Sequence, residues 1–340
     1  MIEETHWHPV ALCDDVVHQP LAVTLLQRDV VLWRDASGSV HAWADQCPHR
    51  GARLSMGQVV DGRLECAYHG WQFAPGGRCV HVPALPAFAP PESHCARTYR
   101  ACEKYGLVWV QIAQAIGTVA DAGSGVPEFA AEDDTHLRKL NCGPYDVATS
   151  ASRIVENFLD MAHFGFVHEG SLGIRSAAAI DDYTVEATAH GLRATQCRAW
   201  QPQSSLNALA ASQVEYTYEV TAPFSAMLTK LPDPASAAGV GLDPVPGPGR
   251  SEAIALFICP LTPETSRVWF RLAMADFAST GEKLRDFQHA IFMQDKPILE
   301  SQNPKRLPLD MRAELHTRAD KASSAYRKHL KQLGITFGVC

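Results

Sequence analysis

No apolar run in the 340-residue chain approaches the roughly 20 residues needed to cross a bilayer. Basic residues are not in excess: 30 Lys and Arg stand against 37 Asp and Glu, a formal net charge of −7. No long Lys/Arg run occurs, which argues against a dedicated nucleic-acid binder. The opening Met1-Ile2-Glu3-Glu4-Thr5-His6 lacks the basic-then-apolar pattern of a secretory signal. The expectation is a soluble, cytoplasmic protein with neither nucleic acid nor membrane as partner. No internal repeat stands out, so a solenoid is not expected. Two redox fingerprints are also missing: G-x-G-x-x-G after a strand, for nicotinamide or flavin, and the plant-type C-x₄-C-x₂-C ferredoxin spacing. Any reducing equivalents this chain uses come from a separate protein.

What is present fits an ordinary globular chain, 46% hydrophobic and 20% charged, long enough for two domains. Ten cysteines without a secretory leader do not read as a disulfide framework. Cys47 and Cys66 sit in a motif, and the other eight read as free thiols. To about residue 115, short apolar segments such as 30–33, 40–43 and 107–110 alternate with turn signals, which predicts small antiparallel sheets. After a connection over 112–135, strands are expected at 181–187, 192–199, 214–221, 252–259 and 267–274. Helices are expected at 152–164, 280–301 and 318–333. The Pro- and Gly-rich stretch 232–250 reads as a long loop, either a surface insertion or an active-site lid.

The strongest signal is Cys47-Pro48-His49-Arg50-Gly51 followed by Cys66-Ala67-Tyr68-His69-Gly70-Trp71. Two thiolates and two imidazoles on two short loops suit a Rieske [2Fe–2S] centre, in which the thiolates hold one iron and the imidazoles the other. Replacing two thiolates by neutral imidazoles leaves the cluster less negative and raises its potential. Structural zinc also takes Cys₂His₂, but zinc motifs repeat similar pairs or end in H-x₃₋₅-H, and these loops do neither. Arg50 and Arg53 beside the first loop are either a docking patch for an acidic electron donor or a solvated surface pair.

The second signal is the run Glu156-Asn157-Phe158-Leu159-Asp160-Met161-Ala162-His163-Phe164-Gly165-Phe166-Val167-His168. On a helix, Asp160 and His163 share a face. His168, five residues after His163, does not fit that stripe, and Gly165 is read as relaxing the helix so that both imidazoles converge. Two His and one carboxylate make the facial triad of oxygen-activating Fe(II). The carboxylate is either Asp160 or Asp295, the latter in Phe292-Met293-Gln294-Asp295-Lys296-Pro297. Phe158, Phe164 and Phe166 read as core packing before substrate wall, and strand residues near Phe224 and Met227 are candidates for a pocket lining.

On these residues the chain resembles the Rieske non-haem iron oxygenase alpha subunits along nearly its whole length. Cys47, His49, Cys66 and His69 match the cluster loops; Glu156, Asn157, Asp160, His163 and His168 match the mononuclear iron motif. The resemblance implies an α+β protein: an N-terminal all-β Rieske domain over 1–115 and a catalytic helix-grip domain with an antiparallel sheet over 116–340. It implies His163, His168 and Asp295 as iron ligands. Asp160, with Asn157 beside it, takes the role of electron-transfer bridge and contacts His69 of the adjacent chain in a head-to-tail homotrimer. Narrower stretches, such as Phe166–Gly173 and Asp295–Gln302, are similar to saxitoxin-pathway Rieske hydroxylases and caffeine-type N-demethylase oxygenases, and more distantly to vanillate and dicamba O-demethylases. The implied activity is O₂-dependent hydroxylation or oxidative demethylation of a small nitrogen-containing or aromatic molecule. Electrons come from a separate NAD(P)H-dependent reductase, with or without a ferredoxin. The competing readings are a cis-dihydroxylating dioxygenase, a Rieske electron carrier with an inert second domain, and a zinc hydrolase using His163 and His168.

Overall fold

The computed structural model describes residues 1–113, 125–208, 210–232 and 251–340. The chain divides into two compact units, Met1–Val126 and Pro127–Cys340. The boundary expected at 115/116 lies outside the described residues, as does the expected loop beyond Pro232. Among the described residues no helix is long and apolar enough to cross a membrane.

The first unit is built from β1 (His8–Leu12), β2 (Leu21–Leu25), β3 (Arg28–Arg34), β4 (Val40–Ala44), β5 (Gln58–Val60), β6 (Arg63–Glu65), β7 (Gln72–Phe73), β8 (Cys79–His81), β9 (Thr98–Lys104) and β10 (Leu107–Gln111). Among the described residues these form an antiparallel sheet in the order β1-β10-β9-β4-β3-β2 and a smaller one, β5-β6-β7-β8. Trp33, Trp43 and Phe73 fill the space between them, Trp33 and Trp43 meeting edge-on with centroids 5.0 Å apart. Such aromatic pairs prefer tilted contact because the positive ring edge seeks the negative face. Cys47 and Cys66 belong to this same buried cluster, so the two loops that carry them hang on it.

The second unit holds β11 (Arg138–Val147), β12 (Thr184–Ala187), β13 (Leu192–Gln201), β14 (Ser212–Ala222), β15 (Ser225–Pro232), β16 (Glu252–Thr262) and β17 (Thr265–Met274). They pair antiparallel in the order β11-β17-β16-β15-β14-β13-β12. In β14 burial alternates strictly from Ser212 to Val220, the period of 2 that one buried sheet face imposes. The helices are α1 (Ala151–Leu159), α2 (Phe164–Val167), α3 (Gly281–Ser301) and α4 (Lys321–Leu333). The Ser150 hydroxyl caps α1 by accepting the Arg153 N–H, and Thr280 caps α3 through Lys283.

The helix expected over 152–164 is in fact broken. α1 stops at Leu159, and Asp160 takes an extended backbone with its side chain accepting the Ala162 N–H. An Asx-type turn of this kind competes with helix continuation. Gly165 does not relax a helix: a Cβ there would crowd the Ile174 carbonyl at 3.0 Å, so its bareness admits the loop that follows His168. The strands β11 and β15 lie outside the expected strands, β11 because Gly143-Pro144 interrupts its pattern at a bulge.

One buried ion network ties α1 to α4. Arg327 donates from Nε to Glu156 at 2.6 Å and from Nη2 to Glu314 at 2.5 Å, and Arg153 reaches Glu314 at 2.5 Å. Arg153 and Arg327 are buried, and a buried guanidinium stripped of its carboxylate is costly. The hydrogen bond from Arg153 holds the Glu314 carboxyl at about 2, below its ordinary 4.5, against the opposing effect of burial and with help from Arg327. A carboxyl depressed on folding stabilises the native state above its unfolded pKa and loses that contribution as pH falls through its folded pKa. Glu314→Gln is therefore expected to destabilise the chain near neutral pH by about 1–2 kcal/mol. In urea unfolding followed by tryptophan fluorescence, the gap between wild type and variant should shrink as pH drops from about 4.5 toward 2.

Candidate metal centres

The two cluster loops share one backbone design. In each, the cysteine C=O accepts the N–H of the glycine four residues on: Gly51 to Cys47 at 2.9 Å, Gly70 to Cys66 at 3.0 Å. In each, the cysteine N–H donates five residues on, to Ala52 at 2.8 Å and to Trp71 at 2.9 Å. Gly51 and Gly70 have φ of 72° and 68°, in the left-handed region that only glycine enters freely. Both loops thus close on themselves and present their Cys and His together.

The donor set fits a [2Fe–2S] group. Cys47 and Cys66 are buried free thiols close enough to interact. Burial pushes the Cys47 thiol up to about 11, while the N–H groups of His49 and Arg50 point at its sulfur and favour the thiolate. The His49 and His69 rings stand 4.5 Å apart. His49 Nδ1 is buried without a hydrogen-bond partner, a loss that a metal bond would repair. The flat face of Trp71 stacks on His49 at 4.3 Å and holds the ring in place. Arg53 is paired with Asp29 at 2.8 Å on the surface, and Arg50 is exposed.

In the second unit, His163, His168 and Asp295 each bring one ligand atom within 4.8 Å of the others. Asp295 Oδ1 lies 3.4 Å from His163 Nε2 and 3.2 Å from His168 Nε2. Asp160 is elsewhere: its Oδ2 meets the opposite nitrogen of His163, Nδ1, at 3.0 Å. His168 Nδ1 is likewise engaged, by Gln294 Oε1 at 2.7 Å. Both Nδ1 partners are oxygens that accept an N–H, so the Nε2 atoms beside Asp295 are the ones left for a metal. Asn157 donates to Asp295 Oδ1 at 3.3 Å, linking α1 to α3. Burial alone would pull His168 down, yet its contacts with Asp295 and Gln294 set it above its ordinary value, so the position favours positive charge. Gln294 was not among the sequence candidates; its only signal was its place beside Asp295.

The three residues open onto a cavity of about 1280 Å³, counting its mouth. Its floor is one face of the sheet, in cross-strand rows set by the register: Tyr218–Leu228–Ile254–Leu272 and Leu256–Phe270. Leu284, Phe287, Ile291, Phe292 and Asp295 of α3 form another wall at helical spacing. Phe158 and Phe164 line this cavity, whereas Phe166 is 52% exposed under the Arg175 guanidinium. Phe224 and Met227 are buried but do not line it; Leu228 does, one residue on, because alternate strand residues face opposite ways.

Residues 6–100 match the Rieske [2Fe-2S] domain family, and residues 147–334 match the vanillate O-demethylase oxygenase C-terminal domain family. The methylxanthine N1-demethylase NdmA of Pseudomonas putida is 30% identical over 335 residues, 96% of this chain and 88% of that one. The probable methylxanthine N7-demethylase NdmC of Pseudomonas sp. (strain TJI-51) is 39% identical over 236 residues, 69% and 77% of the two chains. The solved structure of Pseudomonas putida CBB5 NdmA with caffeine superposes with a TM-score of 0.80 at 27% identity, covering 97% of this chain and 90% of that one. Dicamba monooxygenase bound to 3,6-dichlorosalicylic acid, at 23% identity and a TM-score of 0.81, over 98% of this chain and 97% of that one, shares the fold.

Loss of the Gln294 contact should free the His168 ring. Gln294→Leu is expected to weaken metal retention at the second site by about 10–100-fold, the usual cost of removing a ligand's supporting hydrogen bond. Metal analysis after graded chelation, with cluster absorbance as the internal control, measures it. Equal loss at both sites would mean general unfolding instead.

Proposed function

The chain belongs to the Rieske oxygenase family with a vanillate O-demethylase-type catalytic domain, and from that premise we propose that it oxidatively demethylates a small N-methyl or O-methyl compound. It is an oxygenase component carrying a Rieske [2Fe–2S] cluster and a mononuclear iron. In our reading Cys47, His49, Cys66 and His69 hold the cluster, and His163, His168 and Asp295 hold the iron. When bound, these groups supply single electrons and the activation of O₂; the residues around them do the positioning.

The observation that carries the proposal is the apolar cavity that ends on His163, His168 and Asp295. Phe164 packs against both histidines, and with Phe158 and Leu172, which line the same cavity, it keeps the reacting end of a substrate out of bulk water. Asp160 and Gln294 keep a proton on each Nδ1 and leave Nε2 for the metal. Asp160 is only part-buried, and His69 is exposed. This suits our further reading that Asp160 bridges His163 to His69 of a neighbouring subunit in a cytoplasmic homotrimer. The absence of a nicotinamide or flavin fingerprint in the sequence supports an external NAD(P)H-dependent reductase as electron donor.

Reconstitution with an NADH-linked reductase and a panel of N-methyl, O-methyl and unmethylated ring compounds tests the reaction. Formaldehyde should form in proportion to NADH consumed with a methylated member. Hydroxylated product without formaldehyde would place the chain among C–H hydroxylases. Asp160→Asn should keep both metals and the cluster spectrum while lowering product formation by about 10–100-fold; full activity in that variant would remove Asp160 from the bridge role.

A further inference from the structure

The cavity floor carries one polar row among apolar ones. Lys230 on β15 pairs in register with Glu252 on β16, and both line the cavity. Cross-strand partners such as these hold their Cβ atoms about 5 Å apart, yet their charged ends do not close to within 4.0 Å as the ion pairs elsewhere in the chain do. Among the described residues the Lys230 ammonium makes no hydrogen bond. One oxygen of Glu252 accepts the Ala275 N–H at 3.1 Å, and among the described residues the other accepts nothing. Asp276 offers Lys230 no substitute, because the N–H groups of Ala278 and Ser279 and the Asn207 amide occupy it. Burial pushes the Lys230 ammonium down and the Glu252 carboxyl up, each toward the neutral form and each only partly restored by the other.

The pair lies four residues along β16 from Leu256, whose cross-strand partner Phe270 packs on Phe292, one helical turn before Asp295. Glu252 is tied to Ala275, five residues before the Thr280 cap of α3, while Asp295 sits on the fourth turn of that helix. A substrate with its methyl group at the triad and a flat body along the apolar floor would therefore bring its other end to this row.

Resting on the oxygenase reading above, we propose that Lys230 and Glu252 determine specificity by gripping the amide or lactam edge of a neutral substrate, carbonyl oxygen toward Lys230 and N–H toward Glu252. A neutral ligand suits the pair because the two side chains sum to no net charge. A carboxylate ligand would set its charge against Glu252, and a purely apolar one would leave a buried donor and acceptor unmatched.

The test is a fluorescence titration of the full-length holoprotein with four ligands of one shape: 7-methoxyquinolin-2-one, 7-methoxycoumarin (which lacks the N–H), 6-methoxy-2-naphthoate and 2-methoxynaphthalene. Wild type should bind the quinolone at least about tenfold tighter than the methoxynaphthalene, with the coumarin between, since a site that hydrogen-bonds its ligand rejects analogues lacking the group. Lys230→Met should abolish that advantage. Glu252→Gln should weaken the quinolone and strengthen the naphthoate, a switch that loss of structure cannot produce. Cluster absorbance and iron content certify each variant. A quinolone no tighter than the methoxynaphthalene in wild type, including no binding by either, overturns the proposal, as does an unchanged ranking in both variants. Formaldehyde release is scored separately. Formaldehyde with a flat ranking would keep the demethylase reading and remove the pair; the expected ranking without formaldehyde from any methylated compound would do the reverse.

Discussion

What an imidazole's second nitrogen bonds sets how the ring presents the first, and in the second unit two hydrogen bonds do this. Asp160 takes His163 Nδ1 and Gln294 takes His168 Nδ1. The convergence of both Nε2 atoms on Asp295 depends on these contacts, and the first of them depends on the end of α1. Asp160 can turn back to His163 because the helix stops at Leu159. Neighbouring residues of α1 face two ways. Glu156 is clamped by Arg327 of α4, while Asn157 reaches Asp295 on α3. Displacing α1 would disturb the carboxylate and one histidine together, which gives the buried Arg153–Glu156–Arg327–Glu314 network a bearing on the site as well as on stability.

The first unit reaches a comparable end by other means. There the backbone itself is the positioning device, two loops closed by matching hydrogen bonds around buried cysteines. Side chains add to it: Trp71 stacks on His49 and is backed by His94, Tyr68 lies against His69, and the aromatic core packs below. A cluster that exchanges electrons benefits from a rigid shell of this kind. A site that must admit substrate needs room, and room is what the second unit supplies.

The strands β12, β13, β14, β16 and β17 and the two long helices were legible because their periodicity or length survives in the sequence. The break at Asp160 was not. Helical spacing of 160 and 163 looks the same whether the chain continues as a helix or folds back through an Asx turn, and that choice is made by a local side-chain hydrogen bond. The resemblance named Asp295 as a ligand, but the residues alone left it level with Asp160; only the fold places it against both Nε2 atoms. Gln294 and the Lys230–Glu252 row were invisible for a different reason. They acquire meaning from strand register and from a helix packed more than a hundred residues away in the chain, which no local pattern encodes.

The cavity draws its wall from two kinds of element. His163, His168 and Asp295 converge from α3 and the segment around α2, whereas the cavity floor is the cross-strand lattice of β14 to β17. On that lattice a side chain can be exchanged without moving a hydrogen bond of the backbone ladder. The strand positions of the floor can thus vary apart from the three residues that converge at its end. A lineage could retune which molecule enters, one floor position at a time, while the oxidising machinery stays untouched. A directed-evolution library confined to inward-facing strand positions would sample the same freedom.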